Sequence, residues 1–189
     1  MEELKERILK EGRNLGGGIL KVDSFLNHQI DPALMVRLGN ELAQRLAHTR
    51  PTKVLTAETS GIAPALATAA ALDVHLVFAR KSPPLTMDYT IVSEDAKSRT
   101  FGKLVQLMVS TEYLRPGDRV LIIDDFLATA QTIGALVRLV RKVNAQVVGV
   151  GAVIEKRFER GRENLQHVDV PIVSLAVIAN MDNGQIVLE

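Results

Sequence analysis

The stretch that most constrains this chain is residues 119–132, RVLIIDDFLATAQT. It opens on an unbroken apolar run, Val120 to Ile123, where a strand with one wet face would alternate apolar and polar residues. Such a run suits a strand covered on both sides, the situation of a parallel sheet. Similar runs recur at 53–57 (KVLTA), 75–79 (HLVFA), 147–154 (VVGVGAVI) and 172–178 (IVSLAVI), and 104–110 also reads as a strand. Helical patterns lie between them. Asp31-Pro32 is a helix start, a capping Asp followed by Pro at the first helical position, and Leu34, Leu38, Leu42 and Leu46 follow at helical spacing. Ser60 to Leu72 is an alanine-rich helix suited to close packing on a sheet. A further helix is predicted from about Thr129 to Val143, with Ile133, Leu136, Val137 and Val140 inward and Arg138, Arg141 and Lys142 outward. Alternating strands and helices define an α/β fold with a mostly parallel central sheet flanked by helices. Ligands of such sheets bind at the carboxyl ends of the strands.

The rest of the chain is less regular. Residues 2–14 read as a short charged helix ending near Gly12, and Gly16-Gly17-Gly18 permits unusual backbone angles. Residues 82–103 are polar and irregular, and a stretch that long is usually functional or mobile. A length of 189 residues with 47% hydrophobic side chains suits one domain over 1–189. With 23 basic and 22 acidic residues there is no one-signed field to hold nucleic acid or a lipid surface. No cysteine is present, which excludes disulfides and thiolate metal sites. The amino terminus lacks the apolar core of a secretory signal, and no window approaches the roughly 18 apolar residues of a membrane span. A cytoplasmic protein is expected.

Chemistry concentrates where the apolar run meets Asp124 and Asp125. Two carboxylates there can accept hydrogen bonds from a pair of sugar hydroxyls, or help hold a metal ion through water. The small-residue loop and helix start that follow present backbone N–H groups and a positive dipole end, which suit a phosphate. Thr129 and Thr132 add hydroxyls. Taken alone, the same residues could merely end a strand and cap a helix. Adjacent carboxylates at the end of a buried strand are costly unless paired or solvated, which favours a functional role. Glu58-Thr59-Ser60-Gly61-Ile62 repeats the arrangement of strand, small-residue loop and helix, although Ser60 could be only an N-cap.

The segment 120–132 resembles the phosphoribosyl-pyrophosphate (PRPP) motif of type I phosphoribosyltransferases. The resemblance implies that Asp124 and Asp125 engage the ribose hydroxyls and that Ala128, Thr129, Ala130, Gln131 and Thr132 hold the 5′-phosphate. The family usually carries Gly where this chain has Ala130; Ala in a left-handed conformation costs on the order of 1 kcal/mol. By the same resemblance Thr59, Ser60 and Gly61 form a pyrophosphate loop, and Arg80 and Lys81 face the pyrophosphate. Residues 82–103 then match a mobile loop, with Ser98, Arg99 and Thr100 as the residues of interest. The segment from Gly18 to Pro32, with FARK at 78–81, LIIDDFLA at 121–128 and VIEK at 153–156, is similar to the purine enzymes of the family that act on xanthine. A hood for the base, built from about 1–30 and the C-terminal part, is implied, with Leu20, Asn27 and Lys156 as purine contacts. Phe25 and Phe126 are candidates to stack on the base, though a core role suits each better, and His28 is a candidate base by location alone. The resemblance implies transfer of ribose 5-phosphate from PRPP to N9 of xanthine with Mg²⁺ as cofactor, no metal ligand being directly assignable, and a homodimer. A PRPP-sensing regulator without catalysis and an enzyme for guanine, hypoxanthine or adenine are the alternatives.

Overall fold

The computed structural model describes residues 1–82, 90–97 and 104–189. Its centre is a six-stranded sheet. The strands are β3 (Lys53–Ala57), β4 (His75–Ala79), β7 (Arg119–Leu127), β8 (Gln146–Lys156), β9 (Ile172–Asn180) and β10 (Val187–Leu188). Their order across the sheet is β10-β9-β8-β7-β3-β4; all neighbours run parallel except the edge strand β10. The expected α/β architecture is therefore present. A β1–β2 hairpin (Arg13–Asn14, Leu20–Lys21) and a β5–β6 hairpin (Ile91–Lys97, Leu104–Ser110) stand outside the sheet.

Helices cover both faces. On one side α1 (Glu2–Glu11), α2 (Pro32–Leu46) and α3 (Ile62–Leu72) bury Leu4, Leu38, Leu42 and Ala65 against Leu121, Ile123 and Val153. On the other, α4 (Gln131–Lys142) buries Ile133, Leu136, Val137 and Val140 against Leu55, Ile122 and Val150. The alanine content of α3 is used for close approach. A side chain at Gly39 of α2 would stand 2.4 Å from the Ala67 Cβ, so neither helix tolerates bulk at this crossing. The α2 start is as expected: Asp31 Oδ1 accepts from the Leu34 N–H at 3.0 Å, with Pro32 at the first position.

Three expectations are corrected. The first helix stops at Glu11, and Arg13 and Asn14 pair with β2. Residues 91–97, read as irregular, form β5 in register with β6. The strand expected to end at Ile123 continues to Leu127. Its ladder depends on a backbone partner, not on side-chain polarity, and β8 supplies one as far as Leu127 opposite Glu155. The aspartates are thus strand residues. Residues 83–89 and 98–103, including Ser98, Arg99 and Thr100, lie outside the described residues.

Candidate active site

The carboxyl ends of β3, β7 and β8 point the same way, and the chain order reverses between β3 and β7. From β3 the chain winds through α3 to β4 on one side; from β7 it winds through α4 to β8 on the other. Where the windings diverge, the covering loops part and leave a crevice. A cavity of about 630 Å³ opens there, ample for a nucleotide-sized ligand.

Asp124 and Asp125 form its floor. Asp124 is buried, and its Oδ1 accepts from the Asp125 N–H at 3.1 Å; Asp125 Oδ1 accepts from the Phe126 N–H at 3.0 Å. Burial, and then the neighbouring Asp125 charge, push the Asp124 carboxyl well above the usual carboxylate range. Burial also raises Asp125, although its hydrogen bonds and the Lys81 ammonium oppose the rise. The pair is short of positive charge and of hydrogen-bond donors. A ligand that brings hydroxyls or a cation improves its situation.

Two uncapped helix starts converge on the cavity. Ala128, Thr129, Ala130, Gln131 and Thr132 line it at the start of α4, which has no side-chain cap. Ala130 adopts φ +63°, a left-handed conformation that glycine takes without strain. The loop is braced from behind: Asn164 Nδ2 donates to the Thr129 carbonyl at 3.1 Å. Thr59, Ser60 and Gly61 line the opposite wall at the start of α3, also without a side-chain cap. The Glu58–Thr59 peptide is cis. Gly61 is required by contact rather than by its dihedral angles. A side chain there would stand 2.8 Å from Asp124 Oδ1 and 2.3 Å from Thr56 Oγ1.

Of the basic pair, Lys81 lines the cavity, and its N–H donates to Glu58 Oε1 at 2.6 Å. Arg80 does not line it. Its backbone exchanges two 2.9 Å bonds with Met108, and its guanidinium lies over the Phe78 ring at 5.8 Å.

The far end of the cavity is lined by Leu20, Asn27, Phe126 and Lys156, with Gly17 and Ile19. Lys156 ends β8; its Nζ donates to the Gly18 carbonyl at 2.7 Å and lies 4.9 Å from the Phe126 ring centre. Asn27 Oδ1 is buried without a hydrogen-bond partner. A buried acceptor of that kind is a waiting contact for a ligand donor. The β1–β2 hairpin is tied to the C-terminal part, for Asn14 Nδ2 donates to the Met181 and Gln185 carbonyls at 2.6 and 3.1 Å. Phe25 is fully buried in the core, Phe126 is only partly buried and faces the cavity, and His28 is exposed and away from it.

Some lining residues were not foreseen. Ala96, Val105 and Leu107 come from the β5–β6 hairpin. Glu94 holds that hairpin to α4 through Arg138 at 2.8 Å and Lys142 at 2.6 Å, and these cations keep its carboxyl below the usual range. The signal available was the pair of cations on the outer side of α4. Buried Glu155 is held by Arg162 and Ser174 at 3.0 and 2.6 Å. Burial raises its carboxyl, yet these partners bring it below the usual range.

Comparisons agree with this geometry. The phosphoribosyl transferase domain model matches residues 27–180. The xanthine phosphoribosyltransferase of Geobacillus thermodenitrificans is 49% identical over 186 residues, 98% of this chain and 96% of that protein. That of Deinococcus deserti is 48% identical over 184 residues, 97% of this chain and 95% of its own. Among solved structures, the adenine phosphoribosyltransferase of Rhodothermus marinus is 27% identical and superposes with a TM-score of 0.72, covering 94% of this chain and 99% of that one.

Proposed function

We infer the reaction from one premise: the chain belongs to the phosphoribosyl transferase domain family. It is a pentosyltransferase of the xanthine phosphoribosyltransferase group, and its reaction is the transfer of ribose 5-phosphate from PRPP to N9 of xanthine. Xanthosine 5′-monophosphate and pyrophosphate are the products, so the activity is one of purine salvage. The observation that carries this is the cavity that a carboxylate pair, two uncapped helix starts, Lys156 and Asn27 line together.

Each part has a task. The start of α4 and its two threonines grip the 5′-phosphate, and the 59–61 loop with Lys81 receives the pyrophosphate. Asp124 and Asp125 accept from the ribose hydroxyls and stabilise positive charge as it develops on the sugar ring. Lys156 donates to an exocyclic oxygen of the base, which adenine lacks, and the Asn27 acceptor takes a ring N–H. Phe126 supplies an apolar face for the base. The protein needs no nucleophile; holding both reactants in line carries the rate, with inversion at the anomeric carbon.

Mg²⁺ fits this site as a partner of the substrate. Among the described residues no cluster of three acidic or histidine side chains could hold it alone. Two buried carboxylates short of positive charge beside a pyrophosphate site match its preference for one or two carboxylates plus substrate oxygens. Asp124 and Asp125 would hold it through water, and it would neutralise charge on the departing pyrophosphate. A homodimer is also proposed, supported by exposed Val36 on α2, Leu66 on α3 and Phe78 on the edge strand β4. Light scattering tests it: a monomer mass would refute it. No helix among the described residues is long and apolar enough to cross a membrane, which fits action in the cytoplasm on soluble substrates.

Initial rates with PRPP and Mg²⁺ for xanthine, guanine, hypoxanthine and adenine in parallel test the reaction. A clear preference for xanthine is expected. Preference for another base would overturn the specificity, and no activity with any base would favour a PRPP-sensing regulator.

A further inference from the structure

Thr56 is the penultimate residue of β3 and is wholly buried. It is one of three buried threonines among the described residues. The other two donate to backbone carbonyls, Thr49 to Leu46 at 2.7 Å and Thr68 to Pro64 at 2.8 Å. Thr56 Oγ1 has no hydrogen-bond partner. Burying a hydroxyl unpaired is unfavourable, and valine has the same shape without that penalty. The hydroxyl therefore calls for a use.

Its surroundings supply one. The missing side chain of Gly61 leaves a narrow gap, whose far walls are Thr56 Oγ1 at 2.3 Å and Asp124 Oδ1 at 2.8 Å from the point a Cβ would occupy. The two oxygens are thus within about 5 Å of each other, the sum of those distances. A modest turn of the Asp124 carboxylate, or one water, closes that separation. Asp124 Oδ1 accepts one backbone N–H, and a carboxylate has sites for several more.

We propose that Thr56 is a positioning residue for the transfer reaction: its buried hydroxyl donates to the Asp124 carboxylate in the PRPP-bound protein, fixing that carboxylate's orientation toward the ribose. The hydroxyl is engaged when the sugar hydroxyls and their counter-charge draw on Asp124. Gly61 has a second duty here, since any larger residue would fill the space between donor and acceptor. The proposal rests on the assignment of Asp124 to the sugar.

Titration calorimetry with PRPP and Mg²⁺ on the full chain, with Thr56→Val and with Thr56→Ser, tests it. Val keeps the shape and removes the donor; Ser keeps the donor. PRPP binding is expected to weaken about tenfold in Thr56→Val, the order expected for one hydrogen bond to a charged group. It should recover to within about twofold in Thr56→Ser, with the xanthine KM unchanged and the melting temperature of Thr56→Val no lower than that of the unaltered chain. Unaltered PRPP binding in Thr56→Val, equal weakening in Thr56→Ser, or an equal loss for xanthine would each overturn the role. Calorimetry decides this without turnover. An unaltered chain that binds PRPP but transfers nothing to any base would count against the reaction proposed above, not against Thr56.

Discussion

Two helix starts in this molecule are built to opposite ends. At α2, Asp31 accepts from the Leu34 N–H, Pro32 occupies the first position, and Arg7 binds the other Asp31 oxygen at 2.9 Å. A capping side chain, a proline at the first position and a paired counter-charge are all present. At α4, no side chain caps the helix, and the preceding Ala130 sits at φ +63°. The neighbouring strand carries, near its carboxyl end, two carboxyls whose charged forms burial disfavours. The difference teaches that unsatisfied groups here are gathered rather than scattered. The first start serves the fold, and the second leaves its N–H groups for a ligand.

Substitutions can break or sharpen this contrast. The largest effect is expected from Asp125→Asn: turnover should fall on the order of 100-fold or more without any loss of melting temperature. Normal turnover would remove Asp125 from the mechanism. Next, Lys156→Ala should lower kcat/KM for xanthine about 10–100-fold, as expected for a lost charged donor. An unchanged ranking of the four bases would refute the contact.

Stability should move the other way at the same site. The raised Asp124 carboxyl binds its proton more tightly in the folded chain than in the unfolded one. The stability that this adds is complete below the ordinary value of 3.8 and is lost as pH rises through the folded pKa. Asp124→Asn should therefore stabilise the fold at pH 7, with the gain disappearing near the unfolded value, while activity collapses. A destabilised variant at pH 7 would contradict the account. At α2, by contrast, Asp31→Ala should cost about 1 kcal/mol, roughly 2–4 °C in melting temperature, and leave kcat unchanged. The smallest effect is expected from Ala130→Gly, a gain of about 0.5 kcal/mol after the greater chain entropy of Gly offsets part of the relieved left-handed strain. Its PRPP KM should not rise; a rise would mean that Ala130 assists phosphate binding.

Much of this was legible from residues alone, and the exceptions have physical causes. Apolar runs locate β3, β7, β8 and β9, which lie inside the sheet with no wet face to confuse the pattern, and also the edge strand β4, where His75 and Phe78 stay exposed. Asp31-Pro32 marked α2 because its cap is local. β5 was missed because its Ser, Glu and Asp residues read as a loop. Only Arg138 and Lys142, far along the chain, give Glu94 its partners. Arg80 and Lys81 are adjacent in the sequence, yet only Lys81 lines the cavity. Phe25 and Phe126 looked alike in the sequence, and burial separates them.

By itself, then, the sequence determined the α/β class, the strand that carries the aspartates, the two small-residue loops and the family to which their spacing belongs. These are local matters: periodicity, capping and turn chemistry act over a few residues. The tertiary structure decided which of the candidates share one cavity, that Asp124 lies beside Gly61 and Thr56, and that Asn27 meets Lys156 across more than a hundred residues of chain. Such juxtapositions depend on strand order and on close packing between elements distant in sequence, and no local pattern encodes them.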